Sequence, residues 1–259
     1  IQSVSGRLAG QTVAGGMRFA TEGLAFRTQD GIQWPGGNVS FLQTGLEGKV
    51  QAFGELKADR LDLAALAQIA DRLPLGTATH SLIRSLAPKG LVSTVQASWQ
   101  GHISEPSRYE AQGRVQGLSL ASQREPATQQ AIDRLGTTTL ALAQQTRPGV
   151  RGATVDFKLN QAGGNAKLTI AKGALDLPGA FEDPVVLLDT LSADAKWVLD
   201  KGKIDLQLDK IQFANADAQG EAQANWRTAD PAQSRAKSRF PGVLDLRGSL
   251  SRGDGTKVH

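Results

Sequence analysis

The feature that most constrains this chain is a two-residue alternation of apolar and polar side chains that keeps restarting from Val4 to Leu250. Thr154-Val155-Asp156-Phe157-Lys158-Leu159-Asn160 shows it, and so does Lys203-Ile204-Asp205-Leu206-Gln207-Leu208-Asp209. A strand sends successive side chains to opposite faces, so such segments build a sheet with one oily face and one wet face. The functional question is what covers or occupies the oily face. The residues by themselves point to binding or structure rather than to catalysis.

Strand-like segments run over residues 4–10, 12–20, 23–28, 38–44 and 48–59. Gly15-Gly16, the stretch 31–37 and Gly45 punctuate them as turns or bulges. Over residues 62–73 the period changes. Leu63, Leu66, Ala67, Ile69, Ala70 and Leu73 share one helical face, Asp62 suits the N-cap, and Pro74 stops the helix. A second short helix over 79–86 carries Leu82, Ile83 and Leu86 and ends at Pro88-Lys89-Gly90. Together they form a helical hairpin, residues 62–87, inserted between strands.

Period two resumes over 92–101 and 109–120. Residues 122–148, rich in Gln, Thr and Ala, break the rhythm, as a mobile insertion or a helical excursion with a short helix over 127–135. From Val150 the alternation is clearest, over 153–160, 165–171, 191–199, 203–209 and 221–226. The spacers Ala162-Gly163-Gly164 and Asp200-Lys201-Gly202 predict antiparallel hairpins. Residues 230–239 read as a polar loop and 242–251 as the last strand. Three stretches follow: strands with the helical hairpin over 1–121, an irregular or helical insertion over 122–149, and strands continuing the sheet over 150–259.

About a dozen strands at roughly 4.8 Å each would make a single layer over about 50 Å wide, far more than one helical hairpin covers. Two solutions are open. The sheet folds onto itself as a closed sandwich, which the scarcity of large exposed apolar surfaces favours. Or it curls into a trough with an apolar floor open to a ligand. The 13 aromatics among 259 residues leave the inward positions mostly to Ala, Val, Leu and Ile, a smooth lining that suits acyl chains and an ordinary core alike.

Little else in the chain carries chemistry. The 29 basic and 25 acidic residues are spread out, for a net charge of +4, without the clustered basic face a nucleic acid requires. No cysteine is present, so neither disulfides nor thiolate metal sites can form. His80, His102 and His259 have no partner at metal-ligand or catalytic spacing. Glu182/Asp183 and Asp205/Asp209 read as solvated carboxylates, the latter pair on the wet face of a strand. The glycine pairs form neither a dinucleotide fingerprint nor a phosphate loop, and no serine sits in a nucleophile elbow. Trp34, Trp99, Trp197 and Trp226 read as core or rim anchors, the last three in phase with aliphatic neighbours. No apolar run approaches the ~20 residues of a membrane helix, and no stretch reads as a signal peptide. The chain opens inside a strand-like pattern, as expected of a piece of a longer protein.

Several phrases point to a family. Gly54-Glu55-Leu56-Lys57-Ala58-Asp59-Arg60-Leu61-Asp62-Leu63 leads into the helical hairpin, which Leu86-Ala87-Pro88-Lys89-Gly90 closes. Further on come Arg147-Pro148-Gly149-Val150-Arg151-Gly152 and Phe240-Pro241-Gly242-Val243-Leu244-Asp245-Leu246. The chain resembles the central region of the YhdP proteins, large AsmA-like envelope proteins of Gram-negative bacteria. The resemblance implies a periplasmic stretch of an inner-membrane-anchored protein. It implies a curled β-sheet whose apolar trough conducts phospholipids toward the outer membrane, as part of a bridge.

The expectation is therefore a mainly β fold, a large curled antiparallel sheet forming an apolar trough with an inserted helical hairpin. Such a segment is expected to be no enzyme and to need no cofactor or metal. Its partners would be phospholipid acyl chains and the remainder of the same long chain. Membrane contact would come through parts outside this stretch, and no nucleic acid would bind. Val155, Phe157, Leu159, Leu168, Ile170, Trp197, Leu199, Leu206, Leu208 and Trp226 share the apolar phase of their strands and are the candidate lipid-binding residues. The alternative is a non-transporting structural or interaction module, a closed β-sandwich.

Overall fold

The computed structural model describes residues 1–13, 15–45, 52–73, 76–103, 105–124, 146–178, 182–230 and 242–253. In chain order the elements begin with β1 (Ser3–Val13), β2 (Gly16–Arg27), β3 (Gln33–Trp34), β4 (Asn38–Thr44), β5 (Phe53–Asp59) and β6 (Leu61–Asp62). The helices α1 (Leu63–Ala70) and α2 (Thr77–Leu86) follow. Next come β7 (Lys89–His102), β8 (Glu105–Leu120), β9 (Gln123–Arg124) and β10 (Thr146–Arg147). The last strands are β11 (Gly149–Asn160), β12 (Gly163–Asp176), β13 (Val185–Asp200), β14 (Lys203–Ala214), β15 (Ala218–Arg227) and β16 (Val243–Gly253).

One antiparallel sheet of 14 strands contains nearly all of this. Twelve strands pair in the order β1-β2-β4-β5-β7-β8-β11-β12-β13-β14-β15-β16, with β3 beside β2 and β6 beside β7. The order follows the chain, because alternating segments joined by short turns pair with their neighbours. At Lys201 and Gly202 both residues have positive φ, 46° and 75°, the geometry that matches the twist of the flanking strands. β1 and β16 are the two edges and do not pair with each other, so the sheet is not closed. The sandwich alternative is thereby corrected: the strands pair in chain order as one open layer, and among the described residues the other sheet is only the two-stranded β9-β10.

Positive-φ residues interrupt most strands on the same side of the sheet's midline: Gly6, Gly23, Arg60, Gly90, Gly117, Gly152, Lys172 and Lys210. Register shifts accompany them, for example between Arg151 and Ala153 and between Leu208 and Ile211. A bulge bends its strand and increases the local twist, so a belt of bulges curls the sheet.

The helical hairpin lies where the period change placed it. Asp62 is the N-cap of α1, its carboxylate accepting from the Ala65 N–H at 2.8 Å. Ala65 is buried against Trp34, Ala58, Leu61 and Val92, with Leu66 and Ile69 packed around them. A second core cluster, Ala153, Ile170, Leu188 and Leu191, lies under the C-terminal half. Arg147 ties α2 down, donating to the Ser85 carbonyl at 2.8 Å beside the negative end of that helix.

Several boundaries differ from the sequence reading. The segments at 4–10, 12–20 and 23–28 are two strands, because the turn at Gly15 falls inside the middle one. The punctuating stretch 31–37 contains β3, and β7 opens at Lys89-Gly90, directly where the hairpin ends. α1 stops at Ala70, leaving Leu73 exposed, and Leu82 points outward from α2. β12 runs on to Asp176, past the bulge at Lys172 that hides its alternation, and β13 starts at Val185. Pro74, the helix expected over 127–135, the loop at 231–239, Phe240-Pro241 and His259 lie outside the described residues.

Candidate functional site

Residues paired across neighbouring strands share a face, so the register can be followed from edge to edge as a rung. One rung runs Leu8, Thr21, Val39, Ala58, Val95, Gly113, Phe157, Ala166, Ala195, Leu208, Ala224, Leu246. The next on the same face runs Gly10, Phe19, Phe41, Leu56, Ala97, Ala111, Leu159, Gly164, Trp197, Leu206, Trp226, Leu244. Both cross all twelve strands, and their only polar side-chain groups are the Thr21 hydroxyl and the indole N–H of Trp197 and Trp226. The rung between them belongs to the opposite face and includes Ser40, Lys57, Gln96, Gln112, Lys158, Asn165, Lys196, Gln207, Asn225 and Asp245. Single-residue alternation thus becomes an apolar band about 50 Å long, at roughly 4.8 Å per strand.

All ten candidate residues lie on this one face. Phe157 and Leu208 are on the first rung, and Leu159, Trp197, Leu206 and Trp226 are on the second. Val155 pairs with Leu168 on one flank, followed by Ile170 opposite Ala153. Leu199 pairs with Ile204 on the other flank. Ile170 is buried, Leu199 is 37 % exposed, and the other eight are half-buried. The sequence reading missed the N-terminal half of the band, Phe19, Phe41 and Leu56, together with the alanines at its centre. Their alternation was visible, but only register shows that they continue the same line.

Four aromatic rings lie on glycines that are their register partners: Trp99 on Gly54, Phe157 on Gly113, Trp197 on Gly164 and Phe213 on Gly220. A Cβ added at Gly54 or Gly164 would stand 2.2 or 2.5 Å from the indole. Each ring therefore fills the gap left by its glycine and lies low over the neighbouring strand, which levels the floor.

The two flanks differ. The strands have a turn end, where Lys201-Gly202 joins β13 to β14, and a helix end, where β5 and β6 lead into α1. Toward the helix end the band stays apolar, through Val92, Val115, Val155, Leu168 and Ala193 and then Leu118, Ala153, Ile170, Leu191 and Phe213. There α1 stands on the sheet over β4, β5 and β7. Toward the turn end the next rung holds Thr12, Met17, Gln43, Gly54, Trp99 and Tyr109. Gln43 is 3 % exposed and fully engaged. Its Oε1 accepts from Trp99 Nε1 at 2.9 Å, while its Nε2 donates to the carbonyls of Thr44, Phe53 and Gly101 at 3.1, 3.2 and 3.4 Å.

The opposite face is wet and charge-paired, with Arg114 3.4 Å from Asp156 and Lys210 3.2 Å from Asp194. Its dips, one of about 820 Å³ bordered by Gln112, Arg114, Lys158, Lys167 and Asp194, are open and rimmed by charged and polar side chains. They lack the desolvated apolar wall of a ligand pocket. At the helix end Asn38 donates to both Asp59 oxygens, at 2.9 and 3.1 Å, which together with Arg60 holds that carboxyl below its ordinary 3.8 despite the opposing effect of burial. His80 Nδ1 lies 3.5 Å from Asp71, and His102 is exposed at the turn end. Among the described residues no three His, Asp or Glu side chains gather as a metal site, and no helix is long and apolar enough to cross a membrane.

No curated protein and no solved structure matches the chain. A family model does, the one described as YhdP protein, and it spans residues 1–259. A match over the whole chain, carried by an open, largely β structure, shows that this protein belongs to the YhdP family, a family of bacterial envelope proteins.

Proposed function

We propose that this segment is a non-catalytic stretch of a periplasmic conduit that carries phospholipids between the inner and outer membranes along the apolar band. The observation that carries this reading is the pair of rungs, apolar but for Thr21 and the indole N–H groups, that cross twelve strands, with no second layer over their C-terminal half among the described residues. A dry core would close over such a surface, and a specific pocket would end it. Here α1 and Trp34 cover the first rung only around Val39, Ala58 and Val95, and the band runs on past them.

The mechanism is passive. A methylene fully removed from water contributes about 0.8 kcal/mol, so half-shielding a chain of about 16 gives on the order of 6 kcal/mol. That holds a lipid on the sheet. A step of roughly 4.8 Å to the next strand meets the same two rungs again, so the change in free energy is small. Low rings on glycines and small alanines keep the barrier between steps low.

Native mass spectrometry of the purified chain, with a delipidated control, tests the reading. Co-purifying phospholipid that the control rebinds, and that Leu206→Asp loses, is the expected result. A stable, lipid-free chain that ignores added phospholipid would reduce the segment to a structural module of the envelope protein.

A further inference from the structure

The band is sided, and we infer that a bound lipid lies across it in one orientation, headgroup over the turn end and acyl tails toward the helix end. This rests on the lipid reading above and adds to it the direction in which the lipid points.

Polarity across the band carries the inference. Along β11 the apolar positions Leu159, Phe157, Val155 and Ala153 follow one another over six residues, about 20 Å at roughly 3.4 Å each. One leaflet's acyl chain spans about 15 Å, half of the ~30 Å hydrocarbon core, so a chain laid along a strand fits this breadth. Beyond Ala153 the helix-end flank continues apolar into Val150 and Leu188. Over β4, β5 and β7 it ends against the apolar side of α1, at Leu66 and Ile69. A phosphate placed over those side chains would meet hydrocarbon and lose its hydration.

The turn end offers the opposite environment. The rung there brings in the exposed Thr12 hydroxyl and the Tyr109 phenol, and the exposed Lys201 lies in the turn beyond Leu199 and Ile204. A zwitterionic or anionic headgroup keeps water and finds mixed polar groups along that rim. Trp99 marks the boundary, its ring on the apolar floor and its N–H turned to Gln43.

The test uses the absence of cysteine, which lets a single introduced thiol be labelled alone. Ile204→Cys and Phe213→Cys place a bimane fluorophore at the two flanks of the same strand, β14. The labelled chains are mixed with phosphatidylglycerol vesicles that contain a phosphatidylcholine nitroxide-labelled either on the headgroup or near the end of an acyl chain. The expected result is a greater fluorescence loss at Ile204→Cys with the headgroup label and at Phe213→Cys with the tail label. Equal or reversed losses would overturn the orientation while leaving lipid binding intact. No loss at either site with either label would remove the lipid reading itself and the orientation with it. Tyr109→Cys and Leu118→Cys, at opposite flanks of β8, repeat the comparison should a β14 variant fail to fold.

Discussion

The indole of Trp197 lies across Gly164, its register partner on the adjacent strand, at a distance that leaves no room for a methyl group. Leu206 pairs with the same tryptophan from the other side, and Trp226 pairs with Leu206 in turn. The glycine, the two rings and the leucine form one continuous floor.

Gly164→Ala is expected to lift that ring and to press on the Lys158 carbonyl, which the new Cβ would approach to 2.6 Å. Overpacking of this kind costs about 1–3 kcal/mol. Thermal unfolding should show the loss, and tryptophan fluorescence should shift toward a wetter environment. An unchanged melting temperature would mean that the ring relaxes freely and that the glycine is not what holds it down.

Leu206→Asp sets a carboxylate between Trp197 and Trp226 in the centre of the band. Phospholipid loading should fall by at least about tenfold, the equivalent of 1.4 kcal/mol. Gln207→Asp adds the same charge one residue away on the wet face and should leave loading intact. Equal effects of the two would show that net charge, not the apolar face, governs binding.

Gln43→Leu strands the buried Trp99 Nε1 and removes three ties to the carbonyls of Thr44, Phe53 and Gly101. Leaving one buried donor unsatisfied costs about 1–3 kcal/mol. The double variant Gln43→Leu/Trp99→Phe has no stranded donor and should regain part of that stability. Additive losses in a denaturant titration would argue against coupling of the pair.

Asp59 has a folded pKa below its ordinary 3.8, chiefly because Asn38 donates to it. A depressed carboxyl pKa stabilises the fold at pH above the unfolded value, and the contribution is lost as pH falls through the folded value. In Asn38→Ala the Asp59 pKa should rise, which a carboxyl-resolved NMR titration reads directly. The stability gap between variant and parent should narrow as the medium becomes more acidic than the folded pKa. A gap that widens in acid would reverse the sign of the linkage.

The reading of individual strands from sequence was secure where alternation was uninterrupted, as over β4 and the hairpin of β13 and β14. It slipped where a bulge or a two-residue turn shifted the phase, as at Lys172 and Gly15. The ten candidate residues were chosen by phase within their own strands, yet they fall on one face. Every strand that alternates must offer its apolar side to the same layer, and neighbouring strands of a sheet cannot face opposite ways without exposing their oily side chains.

What the sequence determined alone was the period: which side chains share a face within each strand, where the period turns helical, and that Asp62 starts α1. Periodicity is local, set by the two-residue repeat of an extended backbone. What only the tertiary structure decided was register and closure. Register lines up Phe157 with Leu208 across four strands and Leu159 with Trp226 across five, places four rings on four glycines, and leaves β1 and β16 apart. Those relations depend on hydrogen bonds between separate strands, so no single stretch of residues contains them.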